Sequence, residues 1–154
     1  MSSMGVIQDF LAQRRIAVVG ISHDPKDFSR GLLRTLRLRG YEALAVNPSL
    51  SEADGEPCYS RLADVAPVDG VLLMTSPKIT DQVVQECAAL RIPRVWMYRA
   101  GRKGGAVSPQ AVEYCNDHGI KVVPGECPFM FLSDESWFHR LHGFVRRITG
   151  LYPS

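Results

Sequence analysis

Two hydrophobic periods alternate along most of this chain. Largely apolar runs at 16–21, 42–46, 69–74, 94–97 and 120–123 are separated by stretches whose apolar residues recur every three or four positions. A short run rich in Val, Ile and Leu reads as a strand buried on both faces, and the longer spacing reads as an amphipathic helix. The helical stretches begin at 4–13, where Val6, Ile7, Phe10 and Leu11 share a side. A second is predicted to be capped by Ser29, with Leu32, Leu33, Leu36 and Leu38 including its buried stripe, and to be closed by Gly40. Thr75-Ser76-Pro77 starts a third, running to Leu90, and Ser108-Pro109 a fourth, ending at His118-Gly119. Between Asn47 and Pro67 the pattern predicts only a long polar connection, longer than the usual few residues and therefore suspect as functional.

Strands alternating with helices at this spacing require right-handed crossovers and a parallel sheet. The expected fold class is α/β, a Rossmann-like open parallel sheet of about five strands with helices on both faces. Ligands in such sheets sit outside the carboxyl ends of the strands. The first strand there runs Ile16-Ala17-Val18-Val19-Gly20-Ile21-Ser22, so a phosphate could approach backbone amides at a glycine with no side chain in the way. A dinucleotide fingerprint would need two further glycines and then an acid about 20 residues on to grip the ribose. Here Ser22 and Pro25 take the glycine positions, and the second strand ends at Val46-Asn47-Pro48, where an amide replaces the carboxylate. The topology points to a nucleotide, and the chemistry points away from NAD.

At 154 residues the chain is expected to form one domain over 1–154, with a core of about 10–128 and a helical extension at 133–150. A net charge of +2 is too small for a nucleic-acid binder. No apolar run approaches the roughly 20 residues that cross a bilayer. Cys58, Cys87, Cys115 and Cys127 form no C-x-x-C pair and no signal-peptide pattern opens the chain, so a cytoplasmic location is expected, without a membrane or nucleic-acid partner.

The order Gly20-Ile21-Ser22, Pro25, Ser29, Gly40-Tyr41, Val46-Asn47-Pro48, Cys58-Tyr59 with Leu62, Val68-Asp69 and Cys127-Pro128 resembles the stand-alone CoA-binding domain family. That family is similar to the CoA-binding domain of the succinyl-CoA synthetase alpha subunit. The resemblance implies a Rossmann-like fold holding the ADP part of coenzyme A, free or acylated, against the loop after the first strand. On that reading Gly20, Ser22, Lys26, Ser29 and Arg30 hold phosphates, and Val46, Asn47, Pro48 and Thr75 shape the adenosine pocket. Ile21, Pro25 and Ser76 belong to the same binding set. Lys26 would act as a point cation and Arg30 as a planar fork, or both are ordinary solvated charges.

The chain departs from the family in three places. Asp27 and Phe28 stand where members often carry a base before the serine, and Met74-Thr75-Ser76-Pro77 and Tyr98-Arg99 replace other common residues. A ligase would also need a phosphorylated histidine in a second domain, so the resemblance implies a binding module without catalysis of its own: a carrier, sensor or regulator. The alternatives are an oxidoreductase using a nicotinamide nucleotide on a degenerate site, and an interaction module with a vestigial pocket.

Other groups admit two readings. Cys127, and likewise Cys58, is either a reactive thiol beside the pocket, able to pair with the CoA thiol, or a small packed residue; Cys87 and Cys115 are packing. His139 and His142 lack a third ligand, so no metal site is predicted. Arg99, Arg102 and Lys103 among glycines form either a flap over an anion or a solvated loop. The segment 133–150 is expected to form an amphipathic helix that docks on the domain, on a partner or on a second copy.

Overall fold

The computed structural model describes residues 4–99 and 105–131. The expected helix at 133–150, with His139 and His142, lies outside them, as do Arg102 and Lys103 of the glycine-rich loop. In chain order the elements are α1 (Met4–Leu11), β1 (Arg15–Val19), α2 (Phe28–Leu38), β2 (Glu42–Val46), β3 (Glu52–Ala53) and β4 (Glu56–Tyr59). They continue with β5 (Gly70–Leu73), α3 (Pro77–Ala89), β6 (Arg94–Met97), α4 (Pro109–Asp117) and β7 (Lys121–Pro124).

The seven strands lie in the order β3-β4-β2-β1-β5-β6-β7, and every neighbouring pair is parallel except β3 with β4. This is the expected α/β Rossmann-like sheet, with two more strands than the five expected. Both extra strands come from the connection that reads as a loop in sequence. Glu52-Ala53 and Glu56-Pro57-Cys58-Tyr59 lack a long apolar run because only Ala53 and Cys58 are buried there, so the hydrophobic pattern is too short to register.

Alternate residues of each strand face opposite layers, as the two-residue period requires. Ile16, Val18 and Trp96 pack with Ile7 and Phe10 of α1 and Leu32, Leu33 and Leu36 of α2. Ala17, Val19, Val95 and Met97 pack with Val83, Val84 and Cys87 of α3 and Ala111 and Cys115 of α4. Cys87 and Cys115 are therefore packing residues, and burial pushes both thiols up, Cys115 to about 12.

The second helix starts earlier than the sequence suggests. Asp27, not Ser29, is its N-cap, because the Asp27 carboxylate accepts from the Ser29 N–H at 2.9 Å and from the Ser29 hydroxyl at 2.7 Å. Its far end closes as expected: Tyr41 N donates to Leu36 O and Gly40 N to Arg37 O, with Gly40 at φ +92. The first strand ends at Val19 rather than at residue 21, since Gly20, at φ +97, turns the chain out of the sheet.

Leu32 is fully buried, whereas Leu38, six residues along the same helix, is 84% exposed. Leu32→Ala is expected to cost about 2–5 kcal/mol and Leu38→Ala less than about 0.5 kcal/mol. Urea unfolding of the two variants checks this, and equal midpoints would contradict the assignment of the buried stripe.

Candidate functional site

The register aligns the strand ends in one row. Val19 pairs with both Val46 and Leu73, Leu73 with Met97, and Val46 with Tyr59. The residues that follow, Asn47, Gly20, Met74 and Tyr98, therefore leave the sheet along one edge. Between β1 and β5 the chain changes sides: β1 crosses to β2 through α2 on one face, and β5 crosses to β6 through α3 on the other. That is the switch point at which open α/β sheets form a crevice.

A cavity of about 280 Å³ occupies this point. Gly20 and Met74-Thr75 line one part, Asp27, Phe28 and Ser29 at the start of α2 another, and Tyr98 with Gly105-Ala106 the rest. A Cβ on Gly20 would lie 2.7 Å from the Met74 carbonyl oxygen, so both space and backbone angle demand glycine.

The loop from Ile21 to Phe28 is built by its own side chains. The Ser22 N–H donates to the Ser29 hydroxyl at 3.0 Å, the Asp24 N–H to the Ser22 hydroxyl at 3.1 Å, and the Lys26 N–H to an Asp24 carboxylate oxygen at 2.9 Å. Among the described residues, the loop amides without a protein partner are those of Ile21, His23 and Phe28. Arg30 is 5% exposed, and its guanidinium donates to the carbonyls of Ser22 at 3.2 Å and His23 at 3.3 Å and to Asp54 at 3.0 Å. It is neither solvated nor extended toward an outside anion. Lys26 is exposed and, among the described residues, its ammonium has no partner.

Asn47 closes the other side. Its amide donates to Ile21 O at 2.6 Å, and its side-chain oxygen accepts from the Ser49 N–H at 2.8 Å and the Ser49 hydroxyl at 3.0 Å. The Ser49 hydroxyl also meets His23 Nε2 at 2.9 Å. The amide that stands where a ribose-binding acid would sit is thus occupied in joining the ends of β1 and β2.

Of the expected binding set, the structure gathers Gly20, Ser29 and Thr75 around the cavity. Ile21, Ser22, Arg30 and Asn47 form the loop's hydrogen-bonded frame, and Val46 is buried in the core beneath. Pro25, Lys26, Pro48 and Ser76 are exposed around it. Thr75 is turned toward its own helix, its hydroxyl 2.7 Å from that of Thr80.

Sequence reading missed Phe28, Met74 and Tyr98 as lining residues, and Asp54. The rings of Phe28 and Tyr98 lie 5.3 Å apart, and Phe129 meets Phe28 edge-on at 5.1 Å. Tyr98 was visible only as a departure from the family, while Phe28 and Phe129 are a hundred residues apart in sequence. Asp54 lies on the β3–β4 turn at φ +56 and bridges Arg30 and Arg34.

Electrostatics follow these contacts. Hydrogen bonds from the Ser29 hydroxyl and then its N–H hold the Asp27 carboxyl below the usual aspartate range, against weaker desolvation. Burial alone would push Asp54 up, but the hydrogen bonds and charges of Arg30 and Arg34 outweigh it and hold it low. Burial pushes the Tyr98 hydroxyl up, reinforced by Cys127 and Asp27 nearby. Burial also raises the Cys58 thiol. Among the described residues no cluster of His, Cys, Asp and Glu is arranged to hold a metal, and no helix is long and apolar enough to cross a membrane.

Comparison with known proteins places this geometry in context. The family described as CoA binding domain matches residues 14–133. The uncharacterized protein YneT of Bacillus subtilis is 29% identical over 74% of this chain and 82% of its own length. Acetate–CoA ligase (ADP-forming) I of Archaeoglobus fulgidus is 26% identical over 73% of this chain, which spans only 17% of that enzyme. Among solved structures, a conserved hypothetical protein from Pyrococcus furiosus superposes with a TM-score of 0.68 at 28% identity, covering 76% of this chain and 97% of its own.

The Asp54 bridge makes a pH-dependent prediction. Because its folded pKa lies below the ordinary value of 3.8, its contribution is in full force above that value and is lost as pH falls through the lowered one. Asp54→Asn, which tolerates the positive φ, is expected to lose about 0.5–1 kcal/mol at pH 6. Denaturant titrations from pH 6 to 2.5 check it: the gap to wild type should close at the acid end, and a constant gap would contradict the bridge.

Proposed function

This chain belongs to the family of CoA binding domains, and from that membership we propose that it binds coenzyme A, free or acylated, at the loop following β1. The pyrophosphate lies against the His23 amide and is met by the Lys26 ammonium. Asn47 and Pro48, with Val46 beneath them, bound the adenosine side. Arg30 and Ser29 act from below, holding the loop open in its binding shape rather than touching phosphate. Gly20, Ser22, Ile21, Pro25, Thr75 and Ser76 complete the walls.

The observation that carries this reading is the prebuilt loop. The exposed His23 amide is left unpaired beside the exposed Lys26 ammonium, on a loop whose Ser22, Asp24 and Lys26 amides are tied into its own hydrogen bonds, an arrangement that suits an anion approaching from solvent. The commitment of Asn47 to Ile21 and Ser49 also removes the group that would replace a ribose-binding carboxylate, which speaks for CoA over a nicotinamide nucleotide. The chain acts as one CoA-binding domain in the cytoplasm, a carrier, sensor or regulator without catalysis of its own.

Calorimetric titration with CoA, acetyl-CoA, NAD and NADP is expected to give binding for the first two alone. Lys26→Ala should weaken CoA about tenfold, equivalent to one charge-assisted contact, with the difference shrinking as salt is raised. Tight NAD binding without CoA binding overturns the reading, and an unchanged Lys26→Ala affinity places the phosphates elsewhere.

A further inference from the structure

The cavity at the switch point does not have the character of a phosphate site. Among the described residues lining it, Asp27 is the only side chain charged at neutral pH, and its charge is negative. Its Ser29 hydrogen bonds occupy the helix N-terminus that would otherwise attract an anion. The other large lining side chains are Phe28, Met74 and Tyr98. Phe28 is 41% exposed although it sits in a three-ring cluster with Tyr98 and Phe129, which leaves an apolar face uncovered beside the opening. At about 280 Å³ the volume lies at the lower limit of small-molecule pockets, roughly 300–1,000 Å³, so it fits one arm of a CoA ester and not the whole molecule.

We propose that this cavity receives the thioester end of an acyl-CoA and selects its acyl group, accepting short uncharged chains against Phe28, Met74 and Tyr98 and excluding chains that end in a carboxylate through Asp27. The inference rests on the proposed CoA binding at the neighbouring loop. Phosphates and acyl group are thereby separated by sign: the His23 amide and Lys26 take the anionic end, and the cavity beside Asp27 takes the neutral one. A terminal carboxylate entering beside Asp27 meets a like charge, whereas a methyl or propyl group can lie against Phe28, Met74 and the Tyr98 ring.

Calorimetry with free CoA, acetyl-CoA, butyryl-CoA and succinyl-CoA tests it. Wild type is expected to bind butyryl-CoA at least as tightly as free CoA and succinyl-CoA about tenfold or more weakly than butyryl-CoA. Asp27→Asn keeps an N-cap side chain and removes the charge, so it should bring succinyl-CoA to within about threefold of butyryl-CoA. Phe28→Ala, at a half-exposed position, should reduce the preference for butyryl-CoA over free CoA. Equal binding of succinyl- and butyryl-CoA by wild type, or a gap that persists in a folded Asp27→Asn, overturns acyl selection and leaves CoA binding intact. Failure of every CoA species to bind overturns both.

Discussion

The parallel register of the central strands is the constraint on which the site depends. Because Val19 is level with Val46 on one side and with Leu73 on the other, and Leu73 with Met97, the turns that follow them emerge together. A shift of one residue in any pair would reverse which side chains face each helical layer, and the two cores allow no such exchange. The switch-point cavity is thus a consequence of core packing. Gly20 completes it, since its backbone lies so close to the Met74 carbonyl that any side chain would push β1 and β5 apart.

Around that opening, polar groups divide into those that build the loop and those left without a partner. Arg30 shows the division best. A charged group so deeply buried is costly unless paired, and it is paired three ways, with two loop carbonyls and with Asp54 on the β3–β4 turn. The short outer strands therefore have a role beyond extending the sheet, because they carry the carboxylate that neutralises Arg30 and, with Arg34, fixes α2 to the loop. Asp27 and Ser29 make a second internal set. Among the described loop residues, the amides of Ile21, His23 and Phe28, the Lys26 ammonium and the buried Arg30 Nε stay without a protein partner.

Several elements are legible in the sequence alone. The limits of β2 and β6 match the apolar runs at 42–46 and 94–97, and Gly40, Ser76-Pro77 and Ser108-Pro109 punctuate helices where turn chemistry says they should. The glycine ending the first strand and the amide at 47 mark the edge where β1 and β2 end level. The β3–β4 pair escaped because its two buried residues, Ala53 and Cys58, make too little apolar pattern. The start of α2 was misplaced because Asp27 and Ser29 are both good caps by type; their mutual hydrogen bond, which leaves the carboxylate as acceptor, decides between them.

Sequence by itself determined the alternation of strand and helix and the parallel sheet, since these follow from local periodicity and the handedness of crossovers. The fate of each charge was decided only in three dimensions. Arg30 and Lys26, four residues apart and alike in charge, part company because the helix turns one into the frame and leaves the other in solvent, and the carboxylate that captures Arg30 comes from 24 residues away. Likewise Phe28, Tyr98 and Phe129 become one apolar wall only because the register brings the ends of distant strands to a common level. Contacts set by long-range packing leave no local period for a sequence to display.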